Sequence, residues 1–287
     1  MDVKSIVSAL SAKVATECFS VTLPSSGISL DFMPISVGQQ KSFSKLLMNN
    51  SQNSAVVYNS MLALIVKTCL SKDRLDFKKA TELDRMKIVI TFCAKNYSFN
   101  DVKIPCPKCK KDMTVKLDLA AISKLIDEFG EHSCDFVYTT EKNRYSFVLG
   151  IPSIHVMTQL EQWVNDHKED TPEKASEPEK ENSKKMQHLE RLFSSEDTMK
   201  AFIKKFEVCD IIDPSKPIIA NMEGLPLKDI IELCNILPSE IFNTSTGLIQ
   251  LIISKFLKPL LTLGHDITCE HCQNVIEKGF SLQIFFI

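Results

Sequence analysis

Two cysteine pairs, Cys106-Pro107-Lys108-Cys109 and Cys269-Glu270-His271-Cys272, constrain this chain more than anything else in it. Each is a C-x-x-C turn, and four thiolates presented by two such turns are the ligand set of a structural zinc site. Ten cysteines in 287 residues would give about 0.3 such pairs by chance, so two ask for an explanation. The pairs stand 160 residues apart, counted from Cys109 to Cys269, far outside the roughly 15–20-residue spacer of a compact zinc module. One ion held by all four would tie the middle of the chain to its last segment, as a staple and not as a reaction centre. The competing reading is two chance pairs of reduced, buried thiols.

The flanks favour the metal. Met113 to Leu119 alternates apolar and polar after the first pair, and the strand-like run Phe280 to Phe286 follows the second. A cysteine turn that opens into a strand is how a zinc ribbon is built. Against the pattern, Lys110 and Gln273 follow the second cysteine of each pair, where glycine would accept a left-handed backbone more easily.

Composition excludes several classes. Residues 1–20 carry Asp2, Lys4, Lys13 and Glu17 and no continuous apolar run, so they do not read as a signal peptide. The cysteines are then expected as free thiols or metal ligands, not disulfides. The apolar stretch from Gly247 to Gly264 is broken by Lys255, Lys258 and Pro259, so no membrane span is expected. A formal charge of −2 gives no push toward nucleic acid or anionic lipid, and 44% apolar residues can fill a core.

Along the chain, residues 1–20 suggest a short leading helix and 21–100 a strand-and-helix region. Ile28 to Phe32 alternates strictly after a turn bracketed by Pro24 and Gly27. Ser54 to Leu70 is apolar on most sides and reads as a central helix; Thr81-Glu82-Leu83-Asp84 resembles a capping box opening another. Cys134–Tyr138 and Tyr145–Leu149 alternate about a turn and predict a hairpin. Residues 165–185 are charged and proline-bearing, an exposed linker. Beyond it Met199, Phe202, Ile203 and Phe206, then Leu227, Ile230, Ile231 and Cys234, and then Ile249, Ile252, Ile253 and Phe256 follow helical spacing. The fold expected is α+β: residues 101–150 plus 265–287 form a small zinc-ribbon-like antiparallel sheet completed by the C-terminal strand. Residues 151–264 are a helical insertion between the two cysteine turns.

Catalytic motifs are missing. Only eight glycines occur, with no G-x-G-x-x-G and no phosphate-cradling loop. There is no H-E-x-x-H or G-x-S-x-G, and the catalytic triplet of S-x-x-K with S-D-N and K-T-G is not present. A thioredoxin-like redox pair needs a helix after the cysteines, whereas strands follow here. His132, His155, His167, His188, His265 and His271 are scattered and read as surface or hydrogen-bonded side chains; Cys18, Cys69, Cys93, Cys134, Cys209 and Cys234 read as small buried hydrophobes. No catalytic residue and no small-molecule substrate is expected.

Taken in order, these motifs resemble a family. Leu23-Pro24-Ser25-Ser26-Gly27, the strand after it, Pro34-Ile35-Ser36-Val37, Lys41, the Asp84-Arg85 helix, the C-P-x-C turn running into Val115-Lys116-Leu117-Asp118-Leu119, and the late C-x-x-C are similar to the baseplate hub subunits and hub-assembly proteins of T-even-type contractile-tailed bacteriophages. The resemblance covers residues 20–150 and the last twenty or so; residues 165–210 have no counterpart in it. It implies a structural or assembly role in the tail baseplate hub, in the host cytoplasm during assembly, with other hub subunits as partners. Whether the chain stays in the virion is left open. The metal ligands expected are Cys106, Cys109, Cys269 and Cys272, with structural zinc as the cofactor. The alternative function is a nucleic-acid-binding zinc ribbon, motivated by Lys103, Lys108, Lys110 and Lys111. Few aromatics stand near those lysines, and single-strand binders depend on stacking platforms.

Overall fold

The computed structural model describes residues 17–49, 54–96, 101–106, 108–116, 118–129, 133–166, 199–242, 247–257 and 267–276. The leading helix expected in residues 1–20, the linker 165–185 beyond residue 166 and the strand expected at Phe280–Phe286 therefore fall wholly or mostly outside the described residues. The chain divides into two units, one of Met1–Asp76, Leu83–Gly130 and Leu261–Ile287, the other of Phe77–Glu82 and Glu131–Leu260.

The first unit starts with a hairpin, β1 (Phe19–Thr22) and β2 (Ser29–Phe32), with Phe19 opposite Phe32. Its turn closes through Gly27 N–H to the Leu23 carbonyl at 2.8 Å, with Gly27 at φ 70°, a left-handed conformation that glycine adopts without a Cβ clash. Alternation then puts Val21, Leu30 and Phe32 inside. Three helices follow, α1 (Val37–Asn49), α2 (Ser54–Val66) and α3 (Glu82–Asn96). α3 begins directly after Thr81. Phe92 of α3 is fully buried, its ring centroid 6.0 Å from Phe19, 6.4 Å from Phe32 and 6.0 Å from Phe43. This aromatic knot joins hairpin, α1 and α3.

α3 is buried nearly all round, including charged residues that only paired partners make tolerable there. Asp84 accepts hydrogen bonds from the backbone N–H of Ser25 at 2.9 Å and from its hydroxyl. Arg85 donates to Asn59 at 2.7 Å. Lys87 donates to the carbonyl and hydroxyl oxygens of Ser123 at 2.9 and 2.8 Å and pairs with Asp127 at 2.6 Å. Ser123 and Asp127 lie on α4 (Leu119–Asp127), whose N-terminus is capped by Asp118 accepting from Ala121 N–H at 2.9 Å. Between α3 and α4 runs a second hairpin, β3 (Asp101–Pro105) and β4 (Asp112–Lys116).

The second unit holds a four-stranded antiparallel sheet in the order β5 (Ser133–Thr139), β6 (Asn143–Gly150), β7 (Ile203–Asp210), β8 (Ile218–Asn221). The β5–β6 hairpin is where its alternation placed it. Phe136, Phe147 and Phe206 stand side by side across three strands, with centroids 6.0 Å apart at each step. The helices are α5 (Ile154–Asp166), α6 (Leu227–Asn235) and α7 (Leu248–Ile252), the last running on as one π turn, Ile253–Leu257. Leu227 N–H at the start of α6 donates to Gln159 Oε1 of α5 at 2.6 Å.

Several expectations need correcting. Residues 203–206 form a strand, not a helix, so the segment 151–264 is not purely helical. The register between β6 and β7 shifts between Val148 and Leu149: Val148 faces Lys205, but Leu149 faces Ile203. That bulge adds one residue and lets Ile203 and Phe206, three apart, both turn inward, which imitates helical spacing in the sequence. Residues 101–150 also do not form one β region. β5 and β6 pair into the sheet of the second unit, while β3, β4 and the intervening helix α4 stay in the first. Of the cysteines expected to be buried, Cys69, Cys93 and Cys234 are, while Cys18, Cys134 and Cys209 are half-exposed.

The chain returns to the first unit in a short hairpin, β9 (Ile267–Thr268) and β10 (Val275–Ile276). Among the described residues β3–β4 and β9–β10 are separate two-stranded sheets, so the joint sheet expected of a ribbon is not formed there.

Candidate metal centre

Each cysteine pair sits in the loop of one of these small hairpins, and the two loops fold by the same rule. In the first, Cys106 N–H donates to the Lys111 carbonyl and Lys110 N–H to the Cys106 carbonyl, both at 2.9 Å. In the second, Cys269 N–H donates to the Asn274 carbonyl and Gln273 N–H to the Cys269 carbonyl, again both at 2.9 Å. Such a turn closes only if the residue after the second cysteine is left-handed. Lys110 has φ 61° and Gln273 φ 56°, the two positive-φ residues other than glycine among those described. The positions where the sequence lacks glycine thus adopt the conformation glycine would favour. Left-handed backbone costs a non-glycine residue about 1–2 kcal/mol. Lys110→Gly or Gln273→Gly is therefore expected to be neutral to stabilising, by up to about 1 kcal/mol after glycine's entropy cost. Denaturant unfolding measures it, and a clear loss of stability in both variants would contradict the geometry.

The turns present their sulfurs to one point. Cys106 Sγ lies 3.7 Å from Cys272 Sγ, Cys109 Sγ lies 3.8 Å from Cys269 Sγ, and all four sulfurs are within 4.8 Å of one another. For Zn–S bonds of about 2.3 Å, the edge of a sulfur tetrahedron is about 3.8 Å. The donor set therefore fits a tetrahedral thiophilic metal ion, zinc included, with Cys106 and Cys269 fully buried and Cys109 and Cys272 half-exposed. The structure brings together all four residues singled out from the sequence.

One contact the sequence did not reveal ties the two loops without metal. His271, between the cysteines of the second pair, donates from Nε2 to the carbonyl of Asp112 in β4 at 3.0 Å. The converging donor group consists of the four cysteines, without His271. Lys108, Lys110 and Lys111 are exposed around the first pair, where they can offset the roughly −2 charge of a zinc tetrathiolate. Lys87, Ser123 and Asp127 also escaped the sequence, since a lysine within a helix ordinarily marks a solvated face.

The thiols differ in acidity. The backbone N–H of Cys109 points to Cys106 and holds its pKa down at about 6, with further help from that of Lys108 and against the effect of burial. At Cys272 the N–H of Asn274 lowers the pKa, but burial and the other three sulfurs outweigh it and push the thiol up to about 11. Held down at one sulfur and up at another, the coupled metal-free cluster keeps part of its protons at neutral pH. A metal must displace the protons that remain, and each falling pH unit restores them. Apparent metal affinity is expected to drop by more than about tenfold per pH unit between pH 8 and 6. Competition with a chromophoric chelator reads this directly, and a flat profile would contradict thiolate ligation.

No helix of the described residues is long and apolar enough to cross a membrane. Comparison of the chain with protein-family models, curated proteins and solved structures finds no match.

Proposed function

We propose that this chain is a structural or assembly protein of a contractile-tailed phage baseplate hub, held in shape by one structural Zn²⁺ on Cys106, Cys109, Cys269 and Cys272. It acts through protein contacts, not through bond-making chemistry. The observation that carries the reading is the convergence of four sulfurs from two distant loops. Four thiolates fill a tetrahedral zinc and leave no position for water or substrate, the mark of a structural site. The order of motifs from Leu23 to Leu119 and again at Cys269 supports the phage assignment by resemblance. Exposed isoleucines at the β7–β8 hairpin, Ile212 at 89% and Ile218 at 69%, offer the apolar surface that assembly contacts use.

The test is genetic. Deleting the gene from an infecting phage is expected to leave tails without complete baseplates, and normal baseplates from the deletion would remove the reading. Mass spectrometry of purified virions decides between a permanent and a transient part. A second reading, nucleic-acid binding, draws on the exposed Lys108, Lys110 and Lys111. It requires a salt-sensitive gel shift with DNA or RNA, and no shift at low salt disposes of it.

A further inference from the structure

The two sulfur pairs at 3.7 and 3.8 Å share a feature. Each joins a half-exposed sulfur of one loop to a fully buried sulfur of the other: Cys109 to Cys269 at 3.8 Å, and Cys272 to Cys106 at 3.7 Å. Attack by a solvent-borne oxidant begins where sulfur is accessible, at Cys109 and Cys272, and is resolved by whichever thiolate lies beside the oxidised atom. We propose that the centre is an oxidative modification site: hydroperoxides convert it into two disulfides that cross between the loops, Cys109–Cys269 and Cys106–Cys272. This deepens the zinc reading above and rests on it for the metal-loaded form.

The electron count closes. A thiolate at Cys109 attacks one peroxide oxygen, the O–O bond breaks, and the departing hydroxide takes up a proton to leave as water. The sulfenic acid formed is then attacked at sulfur by Cys269, which expels a second hydroxide, also protonated to water. Two electrons pass from the sulfur pair to one peroxide. In the metal-loaded tetrathiolate Cys272 and Cys106 repeat the sequence with a second peroxide, and the Zn²⁺, left without thiolates, is released. Four protons are consumed when the starting centre is the tetrathiolate: two peroxides yield two disulfides, four waters and the free cation. The consequence differs from ordinary oxidation of C-x-x-C turns. Linkage inside each turn would leave no covalent tie between the two loops, whereas linkage across them replaces a reversible clasp by a covalent one.

The experiment titrates the purified full-length chain with hydrogen peroxide, metal-loaded and metal-stripped, and follows metal release by a chromophoric chelator. Disulfides are then mapped by non-reducing proteolysis and mass spectrometry. Peptides linking 109 to 269 and 106 to 272, with one metal ion released per two peroxides, are the expected result. Peptides linking 106 to 109 and 269 to 272, or sulfinic acids at Cys109 and Cys272 without disulfides, would overturn the proposal. In Cys109→Ser only the 106–272 linkage should form, and its failure to form there would count against the pairing. Metal content before peroxide reports on the zinc reading separately: a chain that takes up no metal refutes that reading, and the map of the stripped chain still judges the pairing.

Discussion

Cys106→Ser or Cys269→Ser is expected to abolish stoichiometric metal binding and to unfold the hairpin loops of the first unit. Metal binding to such sites is folding free energy, on the order of 10 kcal/mol in small zinc peptides whose fold depends wholly on the ion. The first unit also has its own aromatic core, so only part of that figure applies to it. A contribution of several kcal/mol shifts the melting temperature of a domain this size by roughly 10–20 °C. Wild-type protein should lose that much on strong chelation, and the serine variants should start near the lower value and ignore the chelator. Equal thermal stability of wild type with and without chelator would remove the metal from the architecture. Both cysteines are fully buried, so serine also leaves a hydroxyl in a site built for sulfur.

Phe92→Ala is expected to be the most damaging substitution outside the metal centre. Its ring is wholly buried and touches Phe19, Phe32 and Phe43, so truncation opens a cavity against three rings that cannot all close on it. The cost is about 3–5 kcal/mol, while Phe92→Leu should cost less than half as much. The single tryptophan, Trp163, lies on α5 in the second unit. Its fluorescence therefore follows the other unit, and far-UV circular dichroism must be recorded beside it, since two units need not unfold in one step. Folded Phe92→Ala should keep one metal ion per chain. Loss of metal at unchanged stability would mean that Phe92 supports the centre and not the core.

How much of this was readable beforehand depends on how local each signal is. The β5–β6 hairpin was legible because alternation over Cys134–Tyr138 and Tyr145–Leu149 is a property of neighbouring residues. The cysteine turns were legible for the same reason, and their meeting followed from valence: a tetrahedral thiophilic ion wants four ligands and each turn offers two. Ile203 and Phe206 misled because a bulge in the partner register, invisible from one strand, gave a β segment helical spacing. Lys110 and Gln273 weakened the sequence argument for the turns, yet the hydrogen bonds closing each loop hold them left-handed. Lys87 could not be read at all. Its burial depends on Ser123 and Asp127, thirty-six and forty residues away, which only the packing of α3 against α4 brings to it.

The first unit is assembled from three separate stretches of chain, with the last two cysteines in the third. A ribosome making this protein therefore releases the complete second unit before it has delivered Cys269 and Cys272. During translation the sulfurs at 106 and 109 wait with half a ligand set, and the clasp can shut only once residues 269 to 272 have followed. Any truncation before residue 269 leaves a nascent product whose early segments are all present and whose first unit still lacks its closure.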